Sequence, residues 1–156
     1  MSLPPPSVCR VEVMVLLHRD DGRVLLRRRP RDLYGDGPLV PPTGHLASGE
    51  SVVDTALREV VHGTGARVRR QDLEFCHLIH HRSPTGLGRL GVIFTAQQWS
   101  GRPHGAASGE GPALVWADPA RPPADCPPYA ATVLSRLPSG ALLSTHGWNK
   151  ETGGTV

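Results

Sequence analysis

GHLASGESVVDTALREVVHGTGA, residues 44–66, joins a glycine-bearing loop to a segment with helical periodicity and an acidic side. Ser51 followed three residues later by Asp54 is a capping-box pattern, in which a side-chain oxygen satisfies an otherwise orphaned backbone N–H at the helix start. Val52, Val53, Ala56, Leu57, Val60 and Val61 recur at helical spacing. The pattern predicts a helix from Ser51 to Val61 or Gly63, stopped at Gly63-Thr64-Gly65, where glycine permits the left-handed cap conformation. Residues three and four apart are neighbours on a helix, which places Glu59, His62 and Gly63 on one face.

Outward from this stretch, 156 residues fit one domain that buries about two thirds of the surface its unfolded chain exposes. With 16 Pro, 18 Gly and only 4% aromatic residues, the core has to come from Val, Leu and Ala, and many turns are expected. The net charge is +3 and nearly all of the basic residues are Arg. That excess suits an anionic small molecule, whereas a nucleic-acid polymer needs a basic stripe with interleaved aromatics, and here the aromatics are scattered. Cys9, Cys76 and Cys126 are odd in number and far apart, which indicates neither a disulfide framework nor a zinc site and points to a reducing cytoplasm. The apolar run Val11 to Leu17 is broken by Glu12, leaving five apolar residues, too few for a membrane span or an export signal.

Before the box, residues 1–7 read as a flexible Pro-rich lead-in and Val8 to His18 as a strand entering a buried sheet. Asp20-Asp21-Gly22 is a turn signal, and Arg23 to Arg28 reads as the returning strand of a hairpin. Residues 28–43 carry too many prolines and glycines for regular structure over most of their length. Arg27, Arg28, Arg29 and Arg31 cluster before the glycine loop, where guanidinium forks can hold phosphate oxygens two at a time. After the box, strands are predicted at Leu73 to His80, Leu90 to Trp99 and Ala113 to Trp116, then a final helix at Tyr129 to Leu137. The tail, residues 149–156, is expected to be disordered.

The spacing Gly44, Glu50, Arg58-Glu59, Val60, Gly65 resembles the box of the Nudix family of diphosphate hydrolases. Further likeness lies in Tyr34-Gly35-Asp36-Gly37, the Pro42 to Leu46 segment, His81-Arg82, Gly91, Trp99-Ser100-Gly101, Trp116 and His146-Gly147-Trp148, which resemble a bacterial branch of that family. The resemblance covers residues 8–148 and implies a single α/β domain of the Nudix fold, a mixed β-sheet sandwiched between helices. It implies attack of water on a diphosphate, with Mg²⁺ or Mn²⁺ held by a loop carbonyl and helix glutamates. On that reading Glu59 is base or ligand, the metal set is the Gly44 carbonyl, Glu59, His62 and Glu110, and Glu59 and His62 are the catalytic candidates. Arg27, Arg29 and His81 are substrate-binding candidates, and Glu50, Arg58 and Gly65 hold the box in shape, Glu50 by orienting Arg58.

The box departs from the family pattern at two metal-binding glutamates, replaced by His62 and Gly63. Hard divalent cations want oxygen ligands, and imidazole is a poor exchange for carboxylate at Mg²⁺, so Mg or Mn is expected to be bound weakly or not at all. Three readings compete. The first is a phosphoanhydride hydrolase acting on a nucleoside diphosphate-linked or other diphosphate metabolite through a weakened metal site. The second is a non-hydrolytic ligand-binding or regulatory module. The third is a repurposed metal-independent enzyme using Glu59 and His62 as acid and base on a non-phosphate metabolite. The oligomeric state, a homodimer included, is left open.

Overall fold

The apolar run after Glu12 forms the spine of the molecule because its side chains alternate between two hydrophobic clusters. In a computed structural model describing residues 2–29, 37–104 and 114–148, this run lies in β1 (Arg10–Leu17). Met14 and Leu16 enter one cluster with Ile79, Ile93, Ala130, Val133 and Leu134. Val13, Val15 and Leu17 enter the other with Ala56, Val60, Phe94 and Ala96. A strand covered on both faces reads as a continuous apolar run, which explains why the alternation is hidden in the sequence.

The other strands are β2 (Val24–Arg28), β3 (Leu39–Val40), β4 (Thr43–His45), β5 (Glu74–Arg82), β6 (Gly88–Ala96), β7 (Leu114–Ala117) and β8 (Leu143–His146). The helices are α1 (Val52–Thr64) and α2 (Pro128–Arg136). A five-stranded mixed sheet runs β4-β1-β6-β5-β8, with β1 parallel to β6 and β5 parallel to β8, and a three-stranded sheet runs β3-β2-β7. Helices α1 and α2 belong to the two opposite clusters, so the large sheet lies between them.

The hairpin expected from Asp20-Asp21-Gly22 is corrected. The turn is present, with the Gly22 N–H donating to the Arg19 carbonyl at 2.9 Å, but β1 and β2 share only the bridge His18↔Val24. A strand has two hydrogen-bonding edges, and those of β1 are taken by β6 over eight residues and by β4 over three. β2 therefore pairs with β3 and β7. The supposedly irregular 28–43 segment contributes β3 and the start of β4, and β8 is an addition to the predicted elements. β8 is anchored by buried His77 on β5, whose Nδ1 donates to the Ala141 carbonyl at 2.6 Å and whose Nε2 meets Ser144 Oγ at 2.7 Å.

Helix α1 begins where the cap predicts, the Asp54 N–H donating to Ser51 Oγ at 3.1 Å. It ends at Gly65, whose φ of 78° lets its N–H reach the Val61 carbonyl. The helix thus stops within Gly63-Thr64-Gly65 as expected, with Gly63 its penultimate residue.

Glu12 is a buried acid within β1, 5% exposed. Arg89 Nη1 donates to its Oε1, and His81 Nε2 stands 3.9 Å from its Oε2. Burial alone pushes its pKa up, but neighbouring His81 and Arg89 more than offset this and hold it at about 2. A carboxylate depressed from 4.5 to about 2 contributes stability that is complete above pH 4.5 and is lost as the pH falls toward 2. Glu12→Gln should therefore cost about 1–3 kcal/mol at neutral pH by leaving Arg89 without its counter-charge. It should also flatten the acid limb of stability, as read by urea unfolding between pH 7 and about 2.5.

Candidate functional site

Gly44 and Glu59 meet where β4 passes under α1. A Cβ built on Gly44 would stand 2.2 Å from Glu59 Cδ and 2.2 Å from its Oε1, so the carboxylate lies directly on the glycine backbone. Only a residue without a side chain allows that approach. Glu59 is 14% exposed and accepts from Arg58 Nη1 at 2.7 Å. Arg58 is in turn held by Glu50, donating Nε to Oε2 at 3.0 Å and Nη2 to Oε1 at 2.9 Å, while Nη2 also reaches the His45 carbonyl at 3.3 Å. Thr55 Oγ1 donates to Glu50 as well, at 3.1 Å. The Arg58 bond, with the Thr55 bond and the Arg58 charge, holds the Glu50 carboxyl below its ordinary range. This network ties the helix to the loop and sets the direction of Glu59.

Above Gly44 opens a cavity of about 440 Å³, lined among others by Arg27, Arg29, Thr43, Gly44, Arg58 and Glu59. Among the described residues its charged lining is three guanidiniums against one carboxylate, with His45 beside them. Arg58 has acidic partners, whereas the Arg27 and Arg29 side chains form no ion pair with any described residue. Among the described residues, Arg27 Nε is buried without a hydrogen-bond acceptor, a state that costs about 1–3 kcal/mol unless an acceptor arrives. The Arg27 backbone is fixed in the middle of the small sheet, opposite Val40 on one side and Leu114 on the other. An electropositive cavity with fixed donors selects an anion of matching geometry.

A family model for the NUDIX domain matches residues 9–137. The chain belongs to the Nudix family. Among solved structures, a MutT NUDIX hydrolase from Burkholderia pseudomallei superposes with a TM-score of 0.71 at 23% identity, covering 84% of this chain and 99% of its own. A MutT protein from Bacillus halodurans gives 0.67 at 21% identity with 94% of each chain covered. A structure titled as an ADP compounds hydrolase gives 0.54 at 25% identity, covering 69% of this chain and 56% of its own. No curated protein matches the sequence. The Nudix architecture expected from the box is thus the observed one, a mixed sheet between two helices.

The geometry brings together Gly44, Glu59, Arg27 and Arg29, with Glu50 and Arg58 supporting them. His62 is exposed in the last turn of α1 and does not line the cavity, because one hundred degrees per residue carries it away from the side shared by Glu59 and Gly63. His81 is buried on the α2 side, stacked on Tyr129 with ring centroids 4.8 Å apart, and borders a separate narrow gap with Glu12 and Met14. Glu110 lies outside the described residues. Arg58 lines the cavity besides supporting the box, a double role that its tie to two acids conceals in sequence. Nudix hydrolases as a family use divalent ions such as Mg²⁺ or Mn²⁺. The described residues do not fit one: no group of three His, Cys, Asp or Glu side chains is placed to hold a metal, and the single cavity carboxylate faces an excess of fixed positive charge.

Because Glu59 rests on Gly44, the two positions should couple. Gly44→Ala is expected to cost about 1–3 kcal/mol in chemical unfolding by displacing the carboxylate. Combined with Glu59→Ala, most of that penalty should disappear, and a double-mutant cycle gives the coupling directly.

Proposed function

We propose that the chain binds an anionic small molecule carrying a diphosphate group in the Arg27, Arg29 and Arg58 cavity and hydrolyses its phosphoanhydride bond. The reading rests on one observation: the Glu59 carboxylate and the guanidiniums line the same cavity over the Gly44 backbone. In the reaction a water oxygen forms a new bond to phosphorus and the bridging P–O bond breaks, its electron pair leaving with the bridging oxygen. The water proton passes to the Glu59 carboxylate. The guanidiniums bind the phosphoryl oxygens on which charge accumulates, and fixed donors of this kind stabilise a transition state without reorganising. The nucleoside diphosphate-linked metabolites belong to this substrate class.

Three free cysteines suit a reducing compartment such as the cytoplasm. No described helix is long and apolar enough to cross a membrane.

The second reading, a module that binds such a ligand without turning it over, is favoured by the pairing of Glu59 with Arg58, which occupies the carboxylate that chemistry would use. Incubation with a panel of nucleoside diphosphates, nucleotide sugars and other diphosphates, with and without Mg²⁺ or Mn²⁺, separates the two. Release of phosphate or pyrophosphate that falls about 100-fold or more in Glu59→Gln supports hydrolysis. Ligand recovered unchanged from a stable complex supports the binding module. His62→Ala, placed outside the cavity, should change turnover by less than about threefold; a loss equal to that of Glu59→Gln would return His62 to the catalytic machinery.

A further inference from the structure

Gly63 and Arg27 are neighbours in a way that the box alone does not disclose. A Cβ built on Gly63 would stand 3.0 Å from Arg27 Nη1, 3.7 Å from its Cδ and 3.7 Å from Pro42 Cβ. The space a side chain at 63 would enter is therefore already taken by a guanidinium reaching up from β2. That guanidinium has a buried Nε with no acceptor, no ion pair to any described residue, and a share in the cavity that holds Glu59.

We infer that Arg27 serves as a built-in cation at this site, so that a diphosphate anion binds to the guanidinium directly, without a divalent metal, and that Gly63 is the residue that leaves Arg27 unpaired to do so. The inference rests on the reading of the cavity as a diphosphate site and adds how the phosphate charge is met. An acid at 63 would lie in contact with Nη1 and neutralise it, whereas glycine keeps the positive charge available to a ligand. A guanidinium brings to phosphoryl oxygens positive charge of the kind a divalent ion would bring, and the described residues present it where no acidic group of three is placed to recruit such an ion. The guanidinium is also suited to the task by shape, since its planar fork gives two parallel N–H donors to a phosphate group. The strand position of Arg27 between β3 and β7 fixes the base of that fork before ligand arrives.

Isothermal titration of the purified chain with inorganic pyrophosphate in excess EDTA, and again with Mn²⁺, tests this. The expected result is binding in EDTA that Mn²⁺ tightens by less than about threefold, weakened about tenfold or more by Arg27→Met and less by Arg27→Lys, which keeps the charge but not the fork. Gly63→Glu, alone or with His62→Glu, should weaken pyrophosphate binding by about tenfold, because the new acid pairs with Arg27. Circular dichroism checks that each variant is folded, and the wild-type titration in EDTA stands whatever the variants do. Binding of pyrophosphate only with Mn²⁺, or a gain of Mn²⁺ and pyrophosphate affinity in the double glutamate variant, overturns the inference and leaves the proposed diphosphate site intact. Absence of pyrophosphate binding in both conditions overturns the inference and the diphosphate reading together.

Discussion

From Glu12 to Leu17, β1 is buried throughout: β6 pairs along one edge, β4 along part of the other, and the clusters of α1 and α2 cover its faces. That saturation forces the rest. β2 cannot fold back beside β1 and instead founds a second sheet, which brings Arg27 toward the end of α1. β4, bound to the other edge of β1, carries Gly44 beneath Glu59. The cavity is thus lined from β2, β3, β4 and α1, whereas the described lining includes no residue of β1.

The charge arrangement follows from the same geometry. Glu50 holds Arg58, and Arg58 holds Glu59, so one acid and one base of the box are consumed in keeping a second acid in place. What remains toward the open space is net positive. Among its described residues this chain presents three guanidiniums and one carboxylate to that space, and no acidic group of three placed to hold a metal.

Helix α1 was legible in detail because its determinants are local: a serine cap, apolar residues at helical spacing and a glycine whose left-handed φ ends it. The short strands β3, β4 and β8 were not, since two to four residues carry little intrinsic signal and owe their form to partners distant in sequence. The turn at Asp20-Asp21-Gly22 was correct as a turn and misleading as a hairpin, because strand pairing is decided by edges the turn cannot see. In the site, Glu59 could be named from the resemblance of its box, and the arginines from their clustering ahead of the glycine loop. The contact between Gly63 and Arg27 could not, as it requires knowing that β2 lies below the last turn of α1. Nor could His62 be separated from Glu59 by counting residues alone, for neighbouring positions on a helix still diverge by enough to put one in a cavity and the other in solvent.

Thr43 borders the open arginine-lined cavity on one side and, on the other, the narrow gap walled by Glu12, His81 and Tyr129. Its hydroxyl donates to the Pro41 carbonyl at 2.7 Å, which fixes the side chain between the two spaces. The two compartments have opposite character, guanidinium-rich in front and centred on a depressed carboxylate behind. The rear gap is too tight to admit a water molecule, so Thr43 closes off a packed acidic interior and not a second binding space. Two acids of one chain are thereby kept in separate surroundings, Glu59 at the wall of an open cavity and Glu12 in the packed interior behind it.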